Sequence, residues 1–452
     1  MPVPQEFKLS VGWASCPPIK SLLQIMQLFS FNKLWPISAI GIFSLTLLIS
    51  LFLSLHSPPP TAAQKPRILA FTALQMRGSE NRSPLFAVNA TSWVRRQLTP
   101  NIDVIAPLVW SPNGQRLAFV GGYSDIYTVN ADGSRLTKQF AEAGCKAAHF
   151  EIAWFSNSQK LVFARSCNGF TSDAPGSESL YTSDTSGIKG TKLVREWEVG
   201  GEPPKTEISS EFYLSGDGQQ VAFVKDRNIY KMNADGSEMT KLTKSPDEDI
   251  ISGARDLFWS PDRTKIAFLS GAYPKQQIYT INADGSNLKN LTNNPQNDVY
   301  NGKLLWSPES SRIAYYYNNK PGDSSGEQQD IYLLDINRGT AKNLTQKPRN
   351  YDEISWSPDG KFIVFVAGEF NNQKLYTINA DGNQLNQLAS RLEPSVISEL
   401  AWSSDSQQIA FIFNEIQGDK SNLYVINRDG SALNKLTNDQ DLNASHPVWQ
   451  PQ

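Results

Sequence analysis

One phrase returns along this chain at a nearly constant interval, and it limits the possible folds more than any bulk property. WSPNGQRLAF stands at 110–119, WSPDRTKIAF at 259–268, WSPESSRIAY at 306–315 and WSPDGKFIVF at 356–365. Degenerate copies open at Trp154 (WFSNSQKLVF), Leu214 (LSGDGQQVAF) and Trp402 (WSSDSQQIAF), and Trp449 opens a last one. Successive openings lie 44, 60, 45, 47, 50, 46 and 47 residues apart. A period of about 40–50 residues is that of a four-stranded propeller blade.

A second phrase follows the first: IYTVNADGSRL at 126–136, IYKMNADGSEM at 229–239, IYTINADGSNL at 278–288, LYTINADGNQL at 375–385 and LYVINRDGSAL at 423–433. Ser-Pro-Asp-Gly suits a tight turn, with Pro where its fixed φ is wanted and Gly where φ turns positive. Asn-Ala-Asp-Gly reads the same way. Between these turns, runs such as RLAF and DIYTVN have the period and composition of strands. Turns every 10 to 15 residues, without a 3.6-residue period, exclude a helical solenoid.

The ends complete the count. RILAF at 67–71, LFAVN at 85–89 and RRQLT at 95–99 supply the second, third and fourth strands of a blade without a Trp-headed first strand, and HPVWQPQ at 446–452 supplies a first strand alone. Joined, they close a ring with no exposed strand edge. The expected fold is all-β, an eight-bladed propeller of four-stranded antiparallel blades, or seven blades if the ends pair differently.

These phrases resemble the TolB-type β-propellers, over roughly residues 65–452. The resemblance implies the propeller and an envelope setting. It departs from the family in carrying an apolar segment where the small α/β domain would stand, and in counting eight blades rather than six. The envelope role is therefore not carried over whole.

That apolar segment is 34–55, LWPISAIGIFSLTLLISLFLSL, uncharged and long enough to cross a bilayer core. Lys8, Lys20 and Lys33 precede it against Glu6 alone, which puts the N-terminus in the cytoplasm and the bulk of the chain outside. The alternative is a secretory signal cut near Ala63, with translation from Met26; both readings export the rest. The division expected is a cytoplasmic segment at 1–33, a transmembrane helix or uncleaved signal anchor at 34–56, a Pro-rich linker at 57–66 and the propeller at 67–452. Lys and Arg total 42 against 44 Asp and Glu, so no basic footprint for nucleic acid exists. A monomeric propeller in the periplasm or its equivalent is expected.

Catalytic motifs are thin. The three His, at 56, 149 and 446, lack metal-ligand spacing. Gly322-Asp323-Ser324-Ser325-Gly326 has the nucleophile-elbow pattern but lies in a polar blade loop, not between a strand and a helix. Asp247 and Asp249 make a weak calcium pattern. Sequons at Asn290 and Asn343 fall on outer strands, where repeat chemistry explains them. Residues just before each Trp, such as those of LFW at 257–259 and ISW at 354–356, are largely apolar, which predicts a channel without convergent carboxylates.

Cys145 and Cys167 open on one face, where an oxidising compartment would join them as a disulfide; two separate thiols are the other reading. The same face carries insertions at 166–179, 195–210 and 318–330, with Phe170, Trp197, Tyr317 and Asn318 as candidate binding residues. The sequence alone therefore predicts a non-catalytic scaffold, without cofactor or metal, that binds an envelope protein or peptide through this face and reaches the membrane through 34–55. The alternative is a propeller that binds cell-wall glycan or peptide, with hydrolase or lyase action in its central channel. Carboxylates converging there with a His would favour the second.

Overall fold

The computed structural model describes residues 67–452 except 78–79, 123–124, 141–146, 168–176, 185–190, 195–211, 226–227, 244–254, 272–275, 293–297, 319–328, 347–349, 393–394, 416–419 and 438–441. The proposed membrane segment at 34–55 lies outside these. No helix among the described residues is long and apolar enough to cross a membrane. Residues 65–452 form one compact unit.

All described elements are strands, and they form eight sheets. Blade 1 runs Val104–Trp110, Arg116–Gly121, Asp125–Asn130 and Thr137–Phe140, each strand antiparallel to the one before. Blades 2 to 7 repeat this order, opening at Ala147, Phe212, Arg255, Asp298, Tyr351 and Ser395. Blade 8 joins the two ends of the described chain. Its first strand is Leu442–Trp449, its second Ile68–Arg77, its third Leu85–Asn89 and its fourth Arg95–Gln97. Leu69 faces Trp449 and Ala70 faces Val448, so the blade count is eight.

The first phrase folds as its chemistry dictates. In blade 6, Gly360 N–H donates to Ser357 O at 2.9 Å, and the buried Ser357 hydroxyl donates to Asp359 Oδ1 at 2.6 Å while accepting from Phe362 N–H at 2.9 Å. Where Ser replaces the Gly, at 158, 310 and 406, φ is still positive at 59°. The hydroxyl there gains a second use, accepting from the first turn of the preceding blade, as Ser406 does from Asp359 N–H at 3.0 Å. Beyond the second turn a Leu-Thr pair follows, whose hydroxyl accepts an N–H of the blade's own third strand: Thr99 from Leu85, Thr345 from Ile331, Thr437 from Leu423. Repeat chemistry thus explains Thr345 in the Asn343 sequon, and Asn343 itself donates to Asp330 at 2.8 Å.

Blades are held to one another by eight apolar clusters, each shared by two neighbours. Phe71, Phe119, Phe163, Phe268 and Phe411, one per interface, are fully buried; each such burial stabilises by about 1.5–3 kcal/mol. A belt of indoles runs alongside. Trp154 donates to Val109 O at 2.9 Å, Trp306 to Phe258 O at 3.0 Å and Trp402 to Ser355 O at 3.3 Å. Trp110 donates to Val448 O at 3.2 Å and closes the circle. Leu214 interrupts it.

Candidate functional site: the channel ring

First strands of neighbouring blades meet one another, as Ser395–Trp402 meets both Tyr351–Trp356 and Leu442–Trp449, so these strands surround the central axis. Their inner edge has no strand partner, and its N–H groups need acceptors. Most first strands also bulge, two residues or more against one, between Arg255 and Leu257, Tyr351 and Ile354, and Ser398 and Ala401. In the bulged strands the residue three before the Trp sits in the bulge, whereas Glu151 of blade 2 keeps regular register opposite Ala164. Asp256, Glu399 and His446 occupy the bulge with φ of 52°, 57° and 53°, in the left-handed region outside regular strand geometry.

At this one register position the chain carries Pro107, Glu151, Asp256, Lys303, Glu353, Glu399 and His446 around the ring; the eighth, Glu211, lies outside the described residues. The carboxylates meet the need of the inner edge. Glu151 Oε2 accepts Leu214 N–H of the next blade at 3.0 Å, and Glu399 Oε2 accepts His446 N–H of the next blade. Beside Glu353, burial first and the charges of Glu353 and Asp352 next push the Tyr316 hydroxyl well above its ordinary range, so it stays a neutral donor, to Asp352 O.

At the junction of blades 7 and 8 an imidazole and a carboxylate stand side by side. His446 Nε2 lies 3.9 Å from Glu399 Oε1, its Nδ1 lies 3.1 Å from Thr72 Oγ1, and Thr72 in turn lies 2.8 Å from Ser445 Oγ. The imidazole is 41% exposed and Glu399 33%, whereas Thr72 is buried. A carboxylate and an imidazole facing each other at solvent can hold and pass a proton; the buried hydroxyl orients the ring from behind. Among the described residues no three His, Cys, Asp or Glu converge to hold a metal ion.

The expectation of an apolar channel is therefore corrected. The two residues before each Trp are largely apolar, but the third before it is mostly charged. The residues expected at the insertion face fare unevenly. Cys145, Phe170 and Trp197 lie outside the described residues, and so does any bond between Cys145 and Cys167, the last residue of the strand Lys160–Cys167. Tyr317 stands near the end of Arg312–Asn318, its ring 4.7 Å from that of Tyr332 and packed on the core between blades 4 and 5. Asn318 ends that strand. Phe370, on the same face in the hairpin between the second and third strands of blade 6, was not among them and is 77% exposed.

Residues 206–391 match the TolB beta propeller domain. The chain is 21% identical over 396 residues to dipeptidyl-peptidase 5 of Porphyromonas gingivalis, covering 83% of this chain and 54% of that protein. It thus spans about half the length of that relative. By structure it is similar to dipeptidyl peptidase 4 of Porphyromonas gingivalis (TM-score 0.51, 14% identity, 77% of this chain and 56% of that one). It is also similar to oligogalacturonate lyase of Vibrio parahaemolyticus (TM-score 0.51, 12% identity, 77% and 95%). These likenesses overturn the expectation of a protein without chemistry. A propeller of this kind is shared with peptidases and a lyase, and a motif search along the sequence misses groups that come together only around a ring.

Proposed function

Because the chain carries a TolB-like β-propeller, we propose that it serves a peptide-processing enzyme, receiving the positively charged amino end of a peptide in the acidic ring of its channel. The observation that carries this reading is the ring itself, where Glu151, Asp256, Glu353 and Glu399 share one register position on the inner strands. Sequence similarity to a dipeptidyl-peptidase over 83% of the chain supports the substrate class. A peptide ammonium brought to the ring would meet carboxylates beside the protein, where a charge pair at about 4 Å is worth more than in bulk water. The same ring repels a polyuronate, so peptide is preferred to acidic glycan. Glu399 and His446 are the pair placed to exchange a proton with the bound end.

The test uses the full-length protein and fluorescently labelled unstructured octapeptides, with a free or an acetylated amino terminus. Binding is followed by anisotropy and cleavage by mass spectrometry. The free amino end is expected to bind at least tenfold more tightly, an advantage that the double variant Glu353→Gln, Glu399→Gln removes. Equal binding of the two peptides would sink the reading.

A further inference from the structure

On the face opposite the insertions, the first and second turns of adjacent blades enclose clefts. One of them, about 890 Å³, lies at the seam where blade 8 meets blade 1, and arginines outnumber acids in its lining. Arg96, Arg116 and Arg135 line it, with Asp132 as the one acidic side chain. By contrast, the cleft of about 600 Å³ that blade 3 lines carries Asp217, Asp235 and Asp262 against Arg263 alone.

The cause lies in the turns: the third position after the Trp is uncharged in blades 1, 2 and 8 (Asn113, Asn157 and Gln452), and two of these, Asn113 and Gln452, line this cleft. In five other blades the third residue after the Trp is acidic, and four of these pair with an arginine. Asp217 pairs with Arg263, Glu309 with Arg312 at 2.6 Å, Asp359 with Arg428 at 3.8 Å and Asp405 with Arg67 at 2.7 Å. Blade 1 has Asn113 instead. Asn113 performs the whole structural task of the aspartate: its Oδ1 accepts from the Ser111 hydroxyl at 2.8 Å and from Gln115 N–H at 3.0 Å. Only the charge is missing. Asp132 does not replace it, because its carboxylate is taken up by Ser134, whose hydroxyl and N–H donate to it at 2.6 Å and 2.8 Å. Arg96 donates to the Asp132 main-chain oxygen at 2.7 Å, and among the described residues none of the three guanidinium groups has a carboxylate within ion-pair distance.

We propose that this seam cleft is a second binding site, independent of the channel, for an acidic peptide segment whose carboxylates take the place left by the missing aspartate. Guanidinium groups recognise carboxylates through paired hydrogen bonds. Val94, 66% exposed at the rim, supplies an apolar contact, and the Asn113 and Gln115 amides can bond a peptide backbone. The walls come from the two ends of the propeller, Ile68–Arg96 and Gln450–Gln452, together with blade 1. A bound segment therefore bridges the closure of the ring and favours the closed state by mass action.

The experiment measures anisotropy of an acetylated, amidated octapeptide of alternating Glu and Val on the full-length protein, against the same peptide with Gln for Glu. Blocked ends remove any contribution from the channel. The acidic peptide is expected to bind at least tenfold more tightly, weaken with salt, and raise the thermal midpoint. Arg116→Glu with Arg135→Glu should lose that preference. Asn113→Asp is the second variant, safe for folding because other blades carry Asp there; it should pair internally with the arginines and weaken binding by at least tenfold. Equal affinity for the two peptides, or full affinity in Asn113→Asp, overturns the proposal. Competition by a single-stranded oligonucleotide or by inorganic phosphate at the peptide's own concentration would likewise overturn a peptide as the occupant.

Discussion

Ser357 is one hydroxyl group, yet it fixes the geometry of a whole turn, and its counterparts Ser111, Ser215, Ser260 and Ser403 do the same in other blades. It is fully buried and accepts Phe362 N–H. Ser357→Ala leaves that donor and one lone pair of Asp359 unmet, which costs about 1–3 kcal/mol. The expected outcome is a lower urea midpoint with an unchanged slope; an unchanged midpoint would show that water replaces the hydroxyl. The acidic partners of these serines set the pH response. At Asp262, partial burial pushes the carboxyl up, but bonds from the Ser260 hydroxyl and from the Thr264 N–H and hydroxyl outweigh it and hold the group below the ordinary carboxylate range. Asp132, Asp235, Asp284 and Asp429 are lowered by the hydroxyl and then the N–H of the serine two residues on. A lowered carboxyl contributes stability that is complete above its unfolded value and is lost as pH falls through its folded one. Thermal midpoints should therefore be unaffected by these groups from pH 8 to 5 and fall below about pH 4. A midpoint that drops between pH 7 and 5 would contradict this.

At the scale of the strand, what could be read from the sequence was whatever turn chemistry and period-2 alternation encode. Ser-Pro-Asp-Gly and Asn-Ala-Asp-Gly mark the turns, so blade boundaries, strand order and the pairing of 67–71 with the C-terminal strand were all legible. The ring of charges was not. Alternation puts the residue three before the Trp on the same side as the residue one before it, among the blade-facing apolar groups. The bulge breaks that rule by inserting residues, as at Asp256 between Arg255 and Leu257, and takes the inserted residue out of the alternation. Nothing in RDLFW by itself signals a bulge. The signal lies in comparing copies, because Glu151, Asp256, Glu353 and Glu399 stand at one offset from four different Trp-headed starts. The seam cleft was hidden for a related reason. Asn113 is as good a turn residue as Asp, so the turn looks normal until its missing charge is set beside the arginines that the fold brings together from residues 96, 116 and 135.

For the whole molecule, stability is circular: each blade is bound through its two neighbours, and only blade 8 is made from segments some 370 residues apart. Leu69, Ala70 and Phe71, all fully buried, rely on the strand Leu442–Trp449 to cover their edge. Trp449 is central there, donating to Ala401 O at 3.1 Å and packing in the cluster shared by blades 7 and 8. Replacing a buried Trp by Ala costs about 3–5 kcal/mol wherever it is done. The consequence depends on position. Trp306→Ala in blade 5 weakens a blade whose four strands are continuous in the chain, and opening it requires breaking two interfaces of a closed ring. Trp449→Ala weakens the one joint where a blade's strands come from two distant segments, joined by the pairing of 442–449 with 69–75. Opening then proceeds locally along the seam. Hydrogen–deuterium exchange read by mass spectrometry should show Trp449→Ala speeding exchange chiefly in 68–97 and 442–449, while Trp306→Ala raises it across blades 4 to 6. The same exchange pattern from both variants would mean that the ring opens as one unit, and that its closure is no weaker than its blades.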